Sequence, residues 1–171
     1  LPVLIAGFLF RDIISYYFRN PLLISFATIF FGLLLWLSDV VGKRQRSLNS
    51  INKKDALIIG LLQILAFIPG ASRSGITMTA GLMLGLDRNT AVKFSFFISV
   101  PIILAAALYE ASNLIQVGND IDIFNFIITV ILSALSSFFT IHLFLKFLDR
   151  IGMLPFVIYR LILGTILLFM F

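Results

Sequence analysis

From Pro21 to Val41 the chain reads PLLISFATIFFGLLLWLSDVV, 21 residues in which Asp39 is the only charge. The hydrocarbon core of a bilayer is about 30 Å thick, and a helix needs about 20 apolar residues to cross it. Lipid offers no water to bond a peptide group, so a segment of this kind is stable there only as a helix or within a closed barrel. Comparable runs lie at 91–109, where Pro101 interrupts the pattern, at 123–145 and at 151–171. Composition agrees: 60% of residues are hydrophobic, 19 are Phe and only 12% are charged. Soluble chains carry roughly a quarter charged residues. The sequence therefore predicts an all-α fold, a polytopic membrane helical bundle, with 1–171 as a single membrane domain and room for roughly six to eight passes or part-passes.

The inventory of reactive groups excludes much chemistry. There is no Cys, and His142 and Glu110 are the single residues of their types. Disulfides, thiol nucleophiles and thiolate metal sites are ruled out, and a zinc-type site, which takes three or four ligands, finds too few. The net charge of +5 does not signal a nucleic-acid partner, because the cations cluster in short loops between apolar runs. Lys43, Arg44, Arg46, Lys53 and Lys54 share the loop 42–55 with one acid, Asp55. By the positive-inside rule that loop is cytoplasmic. The loop 110–122 holds Glu110, Asp120 and Asp122 without Lys or Arg and is assigned outside, whereas Lys146, Asp149 and Arg150 return the chain inside. Arg11 and Arg19 fall on the outer side. No cleavable signal sequence is evident, and the opening LPVLIAGFLF reads as the tail of a helix begun upstream.

The stretch 56–86 breaks the regular pattern. An apolar run of 13 residues, ALIIGLLQILAFI, and one of 11, ITMTAGLMLGL, enclose PGASRSG, and neither run spans alone. One tilted helix would carry Pro, two Gly and an Arg at its centre. Two half-helices that enter and return would meet in a loop at membrane depth, tolerated where protein or a watery cavity covers it. With Lys53–Asp55 on one flank and Asp87–Arg88 on the other, charge placement favours a re-entrant hairpin over 56–86, with an anion-binding loop at 69–77.

The chemistry of that loop is specific. Pro69 ends the first half-helix, since it lacks an N–H and clashes with the preceding turn. Gly70 and Gly75 permit conformations and approaches closed to larger residues. The N–H groups and positive dipole end of the second half-helix point into the loop, where they favour an anion. Ser72, Ser74 and Thr77 add hydroxyl donors, and Arg73 adds a planar fork suited to paired phosphate oxygens. An Arg at the bilayer centre costs roughly 2.5–3.5 kcal/mol and needs a partner, yet 56–86 contains no carboxylate. A phosphate or diphosphate ligand answers that need. The plainer alternative has Arg73 snorkel or bond loop carbonyls to hold a kink.

At Pro69, Gly70, Ser72, Arg73, Ser74 and Thr77 the chain resembles the bacterial undecaprenyl-diphosphate phosphatases, the bacitracin-resistance family, and specifically their second signature, Pro-Gly-x-Ser-Arg-Ser-x-x-Thr. Similarity extends through Gln63, Phe94-Ser95-Phe96, Val100-Pro101, Pro155-Phe156 and Ile158-Tyr159-Arg160. The resemblance covers nearly the whole chain and corresponds to the family's C-terminal two-thirds. It implies hydrolysis of undecaprenyl diphosphate to the monophosphate and inorganic phosphate in the bacterial plasma membrane, recycling the carrier lipid of cell-wall synthesis. Resistance to bacitracin follows, because that antibiotic captures the diphosphate. The resemblance also implies a divalent cation, Mg2+ or Ca2+, bound through an acidic Glu-x-x-x-Glu signature that this chain does not contain. These 171 residues are therefore expected to be half an active site and inactive alone, with no metal ligands of their own. Arg73, Ser72 and Ser74 are the expected catalytic residues, and Gly70, Gly75, Thr77, Ser95 and Ser99 the expected substrate-binding ones. The Lys…Arg-Pro and Ser-Gly-His signatures of phosphatidic-acid phosphatases are absent. A polyprenyl-phosphate transporter is the alternative, since broken helices aim their N-termini at anions there too. A homodimer is compatible with the chain.

Other polar residues carry plainer expectations. Arg160 is expected to snorkel or pair between helices, with a head-group contact as the alternative. His142 is expected to pack near an interface. Ser133, Ser136, Ser137 and Thr140 share one helix face and, like Gly81 and Gly85, suit close helix packing. Ser95 and Ser99 could face the Arg73 loop. Asp87 and Arg88 are expected to cap or flank the returning half-helix, and Glu110 to solvate the outer loop.

Overall fold

The computed structural model describes residues 2–9, 20–117 and 123–171, so the outer charges Arg11, Arg19, Asp120 and Asp122 lie outside the described residues. Seven α-helices are described: α1 Pro2–Leu9, α2 Pro21–Val41, α3 Lys53–Leu62, α4 Arg73–Met83, α5 Arg88–Val117, α6 Ile123–Ile151 and α7 Leu154–Met170. Short 3-10 turns occupy Leu48–Ser50 and Gln63–Phe67. Among the described residues there are no strands, and three helices are long and apolar enough to cross a membrane, within α2, α5 and α6. This is an all-α, multi-pass membrane bundle. Its apolar surface faces outward as lipid requires, with Phe26, Phe97 and Phe138 each more than half exposed.

Helix ends follow local chemistry. Asn20 caps α2 by accepting from Leu22 N at 2.9 Å, and Pro21 occupies the first turn, where its missing N–H costs nothing. Asn52 and Asp55 form a reciprocal capping box at the start of α3. Pro101 does not interrupt its span; it sits inside the continuous 30-residue helix α5. The 17 residues of α7 form a shorter apolar helix.

The most extensive helix pairing joins α2 to α7. Two glycines let these backbones approach: a Cβ on Gly164 would lie 2.6 Å from Ile29 Cγ1, and one on Gly32 would lie 3.3 Å from Arg160 Cβ. The α4–α5 pair uses Gly81 the same way, with Ala91 Cβ 3.1 Å from where its own Cβ would stand. Gly85 plays a different part from the packing expected of it. It turns with φ +83°, and its carbonyl accepts from Gln45 N and Arg46 N, both at 3.0 Å. Leu35, Ile59, Leu82, Leu86, Val92, Leu148 and Met153 form the core.

On the side assigned to the cytoplasm, two ion pairs join chain segments. Asp39, 7% exposed, accepts from Arg88 Nε at 2.6 Å and Nη2 at 2.9 Å, and from Met153 N at 3.4 Å. This carboxylate links the end of α2 to the start of α5 and the α6–α7 turn. Asp87 and Arg88 therefore initiate α5 rather than cap α4: Asp87 accepts from Thr90 N at 2.8 Å. Arg46 donates to Asp55, and to Leu84 O at 3.0 Å, satisfying a carbonyl at the end of α4.

Two predictions follow from these pairs. Asp39→Ala should lower the thermal midpoint in detergent, by about 1–3 kcal/mol of stability, less than for a fully enclosed pair because Arg88's side chain keeps 27% exposure. Hydrogen bonds from Arg46 and then from the Asn52 backbone lower the pKa of Asp55. Its stabilisation should be complete above the unfolded carboxylate value of about 3.9 and lost as pH falls through the lower folded value. The stability gap between the parent and Asp55→Asn should therefore close only in acid, below about pH 4, as read from thermal midpoints measured across pH.

Candidate functional site

The hairpin is a helix–loop–helix. The first arm, α3, tightens into the 3-10 turn Gln63–Phe67, and the second, α4, begins at Arg73. Between them the chain turns at 68–72, with Ala71 N donating to Ile68 O at 3.0 Å. A single continuous helix through this stretch is thereby excluded. Gly70 adopts φ +91°, and a Cβ there would collide with Ile24 O and reach within 2.7 Å of Thr28 Oγ1. The loop tip thus lies directly on the backbone of α2, and only glycine fits.

Ser72 is a non-glycine residue held at φ +64°. Such a conformation costs on the order of 1–3 kcal/mol and persists where its surroundings enforce it. Its hydroxyl accepts from Gly75 N at 3.3 Å, capping α4, and lies 3.4 Å from Ser74 Oγ. Both serines are exposed. Their hydroxyls therefore stand together at the positive end of α4.

Arg160 enforces this geometry. Reaching across from α7, it donates from Nη1 to Ala71 O at 2.9 Å, from Nη2 to Gly70 O at 2.5 Å and from Nε to Thr28 O at 3.3 Å. It is 7% exposed, so of the sequence expectations the structure excludes snorkelling and retains pairing between helices. Gly75 makes room for it, since a Cβ there would lie 2.8 Å from Arg160 Nη1. The pairing between helices expected of Arg160 is found, but its partners, the carbonyls of Thr28, Gly70 and Ala71, are far away in the sequence.

Arg73, the first residue of α4, is half-buried, and its Nη1 is buried without a hydrogen-bond partner. Beside the hairpin lies a cavity of about 240 Å3. Ser72, Ser74, Gly75 and Arg160 line its polar part, and Leu35, Met78, Phe96, Ile141, Phe144 and Phe156 its apolar wall. Thr140 also reaches it. Ser133, Ser136, Ser137 and Thr140 are all exposed, so the close packing expected of that stripe is not found among the described residues. The reason is that α6 has few neighbours there and is nearly unburied along its apolar length.

Gly70, Arg73, Thr77, Ser95 and Ser99 are not among the residues that line this cavity. Thr77 is 2% exposed; its hydroxyl meets Ser95 Oγ at 2.6 Å and donates toward Arg73 O and Ser74 O. The pair pins α4 to α5 instead of facing an open loop. Ser99 donates to Phe96 O within its own helix at 2.7 Å. His142 is exposed and stacks on Phe138, with ring centroids 6.3 Å apart, and Glu110 is exposed. Among the described residues no three His, Asp or Glu side chains gather as metal ligands. The hairpin's own donors are cationic and hydroxylic, so they suit an anion and do not fit a divalent cation.

Fold and site together define a multi-pass membrane protein with a broken-helix hairpin that presents Arg and Ser side chains at a helix N-terminus. The family model described as bacitracin resistance protein BacA matches residues 1–166, and the chain belongs to that family. It is 52% identical over its whole length to undecaprenyl-diphosphatase 2 of Stutzerimonas stutzeri, covering 64% of that protein. It is 49% identical to the undecaprenyl-diphosphatase of Chromohalobacter salexigens, with 98% of this chain aligned to 63% of that one. Undecaprenyl-diphosphatase 1 of Pseudoalteromonas translucida is 48% identical over 96% of the chain and 62% of its own. The chain thus spans slightly less than two thirds of the length of these relatives.

The clamp makes a direct prediction. Arg160→Lys keeps the charge but cannot donate to three carbonyls in a fixed fork. It should destabilise the protein by about 1–3 kcal/mol, and cleavage by a protease directed at residues 68–72 should become faster than in the parent. Arg160→Ala should do so more strongly. Unchanged melting and cleavage in both variants would remove Arg160 from this role.

Proposed function

We propose that this chain carries the diphosphate-gripping part of an undecaprenyl-diphosphate phosphatase, acting in the bacterial plasma membrane to regenerate the monophosphate carrier of cell-wall synthesis. The observation that carries the reading is the partnerless Arg73 at the start of α4, between Ser72 and Ser74, whose paired hydroxyls line an apolar cavity. The relatives named as undecaprenyl-diphosphatases support the same chemistry.

The reaction adds water across the phosphoanhydride: an oxygen–phosphorus bond forms at the terminal phosphate, the bridging P–O bond breaks, and the lipid monophosphate departs. Such reactions depend mainly on positioning and neutralisation of charge. Arg73 grips the phosphate oxygens, Ser72 and Ser74 donate to them, and the N-terminus of α4 stabilises charge on the leaving group. Gly70 lets the loop tip rest on α2 and Gly75 leaves room for Arg160, so both act by holding the loop in place. Thr77 and Ser95 contribute by fixing α4 against α5, and Ser99 by the local geometry of α5. The apolar wall at Met78, Phe96, Phe144 and Phe156 takes the start of the prenyl tail. A divalent cation in the whole protein would be held by residues other than those described, where it would neutralise phosphate charge. Bacitracin competes for the same diphosphate lipid. A homodimer is consistent with this arrangement and is not required by it.

The full-length protein in detergent with magnesium should release phosphate from undecaprenyl diphosphate. Arg73→Ala should reduce that release by about 100-fold or more, the scale of losing one electrostatic contact to a transition state. A transporter would move the same head group without releasing phosphate. Lipid binding without phosphate release by the parent would therefore favour that second reading, which the break in the hairpin also supports.

A further inference from the structure

Gln63 opens the 3-10 turn on the first arm of the hairpin and is 1% exposed. Its amide Nε2 has no hydrogen-bond partner. Arg73 Nη1, at the start of the second arm, is in the same condition, and these are the buried side-chain nitrogens or oxygens left without partners among the described residues. The two arms are in contact, because α4 packs on the turn Gln63–Phe67. A buried donor with no acceptor is a net cost to folding, greater when charged, and lipid has no water to relieve it. Leu or Met would fill the volume of Gln63 without that cost. The atoms in question are both N–H donors, one neutral and one cationic, and the stretch 56–86 supplies no carboxylate to either.

We propose that Gln63 is a binding residue of the hairpin, its amide donating alongside Arg73 to one anionic oxygen group that enters between the arms. This rests on the anion-gripping reading above and adds to it a residue on the opposite arm. A neutral amide suits the position. It supplies a directed donor without placing a second positive charge against Arg73, and it donates at every pH. The anionic oxygens belong either to the terminal phosphate of the lipid or to a carboxylate from elsewhere in the whole protein.

The test uses the full-length protein in detergent, with Gln63→Leu and Gln63→Glu. Three quantities are measured: thermal midpoint, its upward shift with inorganic pyrophosphate, and phosphate release from undecaprenyl diphosphate. Gln63→Leu should melt no lower than the parent yet release phosphate about 10- to 100-fold more slowly, the effect of one hydrogen bond to a charged group. Gln63→Glu, which hands Arg73 an internal carboxylate, should melt higher and lose the pyrophosphate shift. If Gln63→Leu also loses that shift, the acceptor is the phosphate. If it keeps the shift but loses release, the acceptor is a protein carboxylate; both outcomes support the proposal. A lower midpoint in both variants, or full release with a full pyrophosphate shift in Gln63→Leu, would overturn it. A parent that releases no phosphate defeats the phosphatase reading alone, because the pyrophosphate shifts still decide the role of Gln63.

Discussion

A helix broken inside an apolar bundle leaves carbonyl groups that neither the helix nor water can satisfy, and Arg160 is the answer this chain provides. Its three bonds to Thr28, Gly70 and Ala71 join α7, α2 and the hairpin loop at one guanidinium. Much else is arranged around it. Gly75 and Gly32 stand where a Cβ would crowd the Arg160 side chain, and Gly70 lets the loop tip rest on the backbone of α2. With the loop thus fixed, Ser72 is held in a left-handed conformation that places its hydroxyl beside Ser74. The clamp is therefore upstream of the site's geometry even though its own donors point at backbone.

The opposite end of the hairpin is tied by charge. Arg46 and Asp55 join the 42–55 loop to the start of α3 and the end of α4, while Asp39 and Arg88 join α2 to α5. In each pair a buried carboxylate meets an arginine whose side chain stays partly exposed. The loop end works under the reverse condition: among the described residues no acid pairs with Arg160 or Arg73, and Arg160 donates to backbone carbonyls. A hairpin anchored by ion pairs at its base can carry an unbalanced cation at its tip.

Legibility in the sequence followed the range of the interaction. Spans were readable because membrane thickness sets their length, and the break was readable because Pro69 and Gly70 act through their own backbone. Arg73 could be singled out by the cost of its charge alone. The task of Arg160 could not, because its partners lie 89, 90 and 132 residues away. Thr77 misled for another reason: a hydroxyl near a helix start can serve a ligand or bond back to its own turn, and spacing does not distinguish them. The 2.6 Å contact with Ser95 decided that. Gly85 was misread likewise, since a four-residue glycine spacing suits either close packing or a turn.

The two arginines at the hairpin loop make a comparison in which position is nearly shared and bonding is not. Both border the same loop. Arg160 has donors placed on three carbonyls, which is how a structural cation is made tolerable. Arg73 keeps a buried Nη1 with nothing to receive it, and no acid in its hairpin could be recruited by a small rotation. Selection for stability alone would favour an apolar residue there, as at other positions enclosed by lipid and helix. Its retention makes sense if an acceptor arrives from outside the hairpin, and the hydroxyls and helix dipole around it favour a negative one. The division of labour between the two is thus physical: one arginine is spent on holding the loop, which leaves the other free to meet an anion.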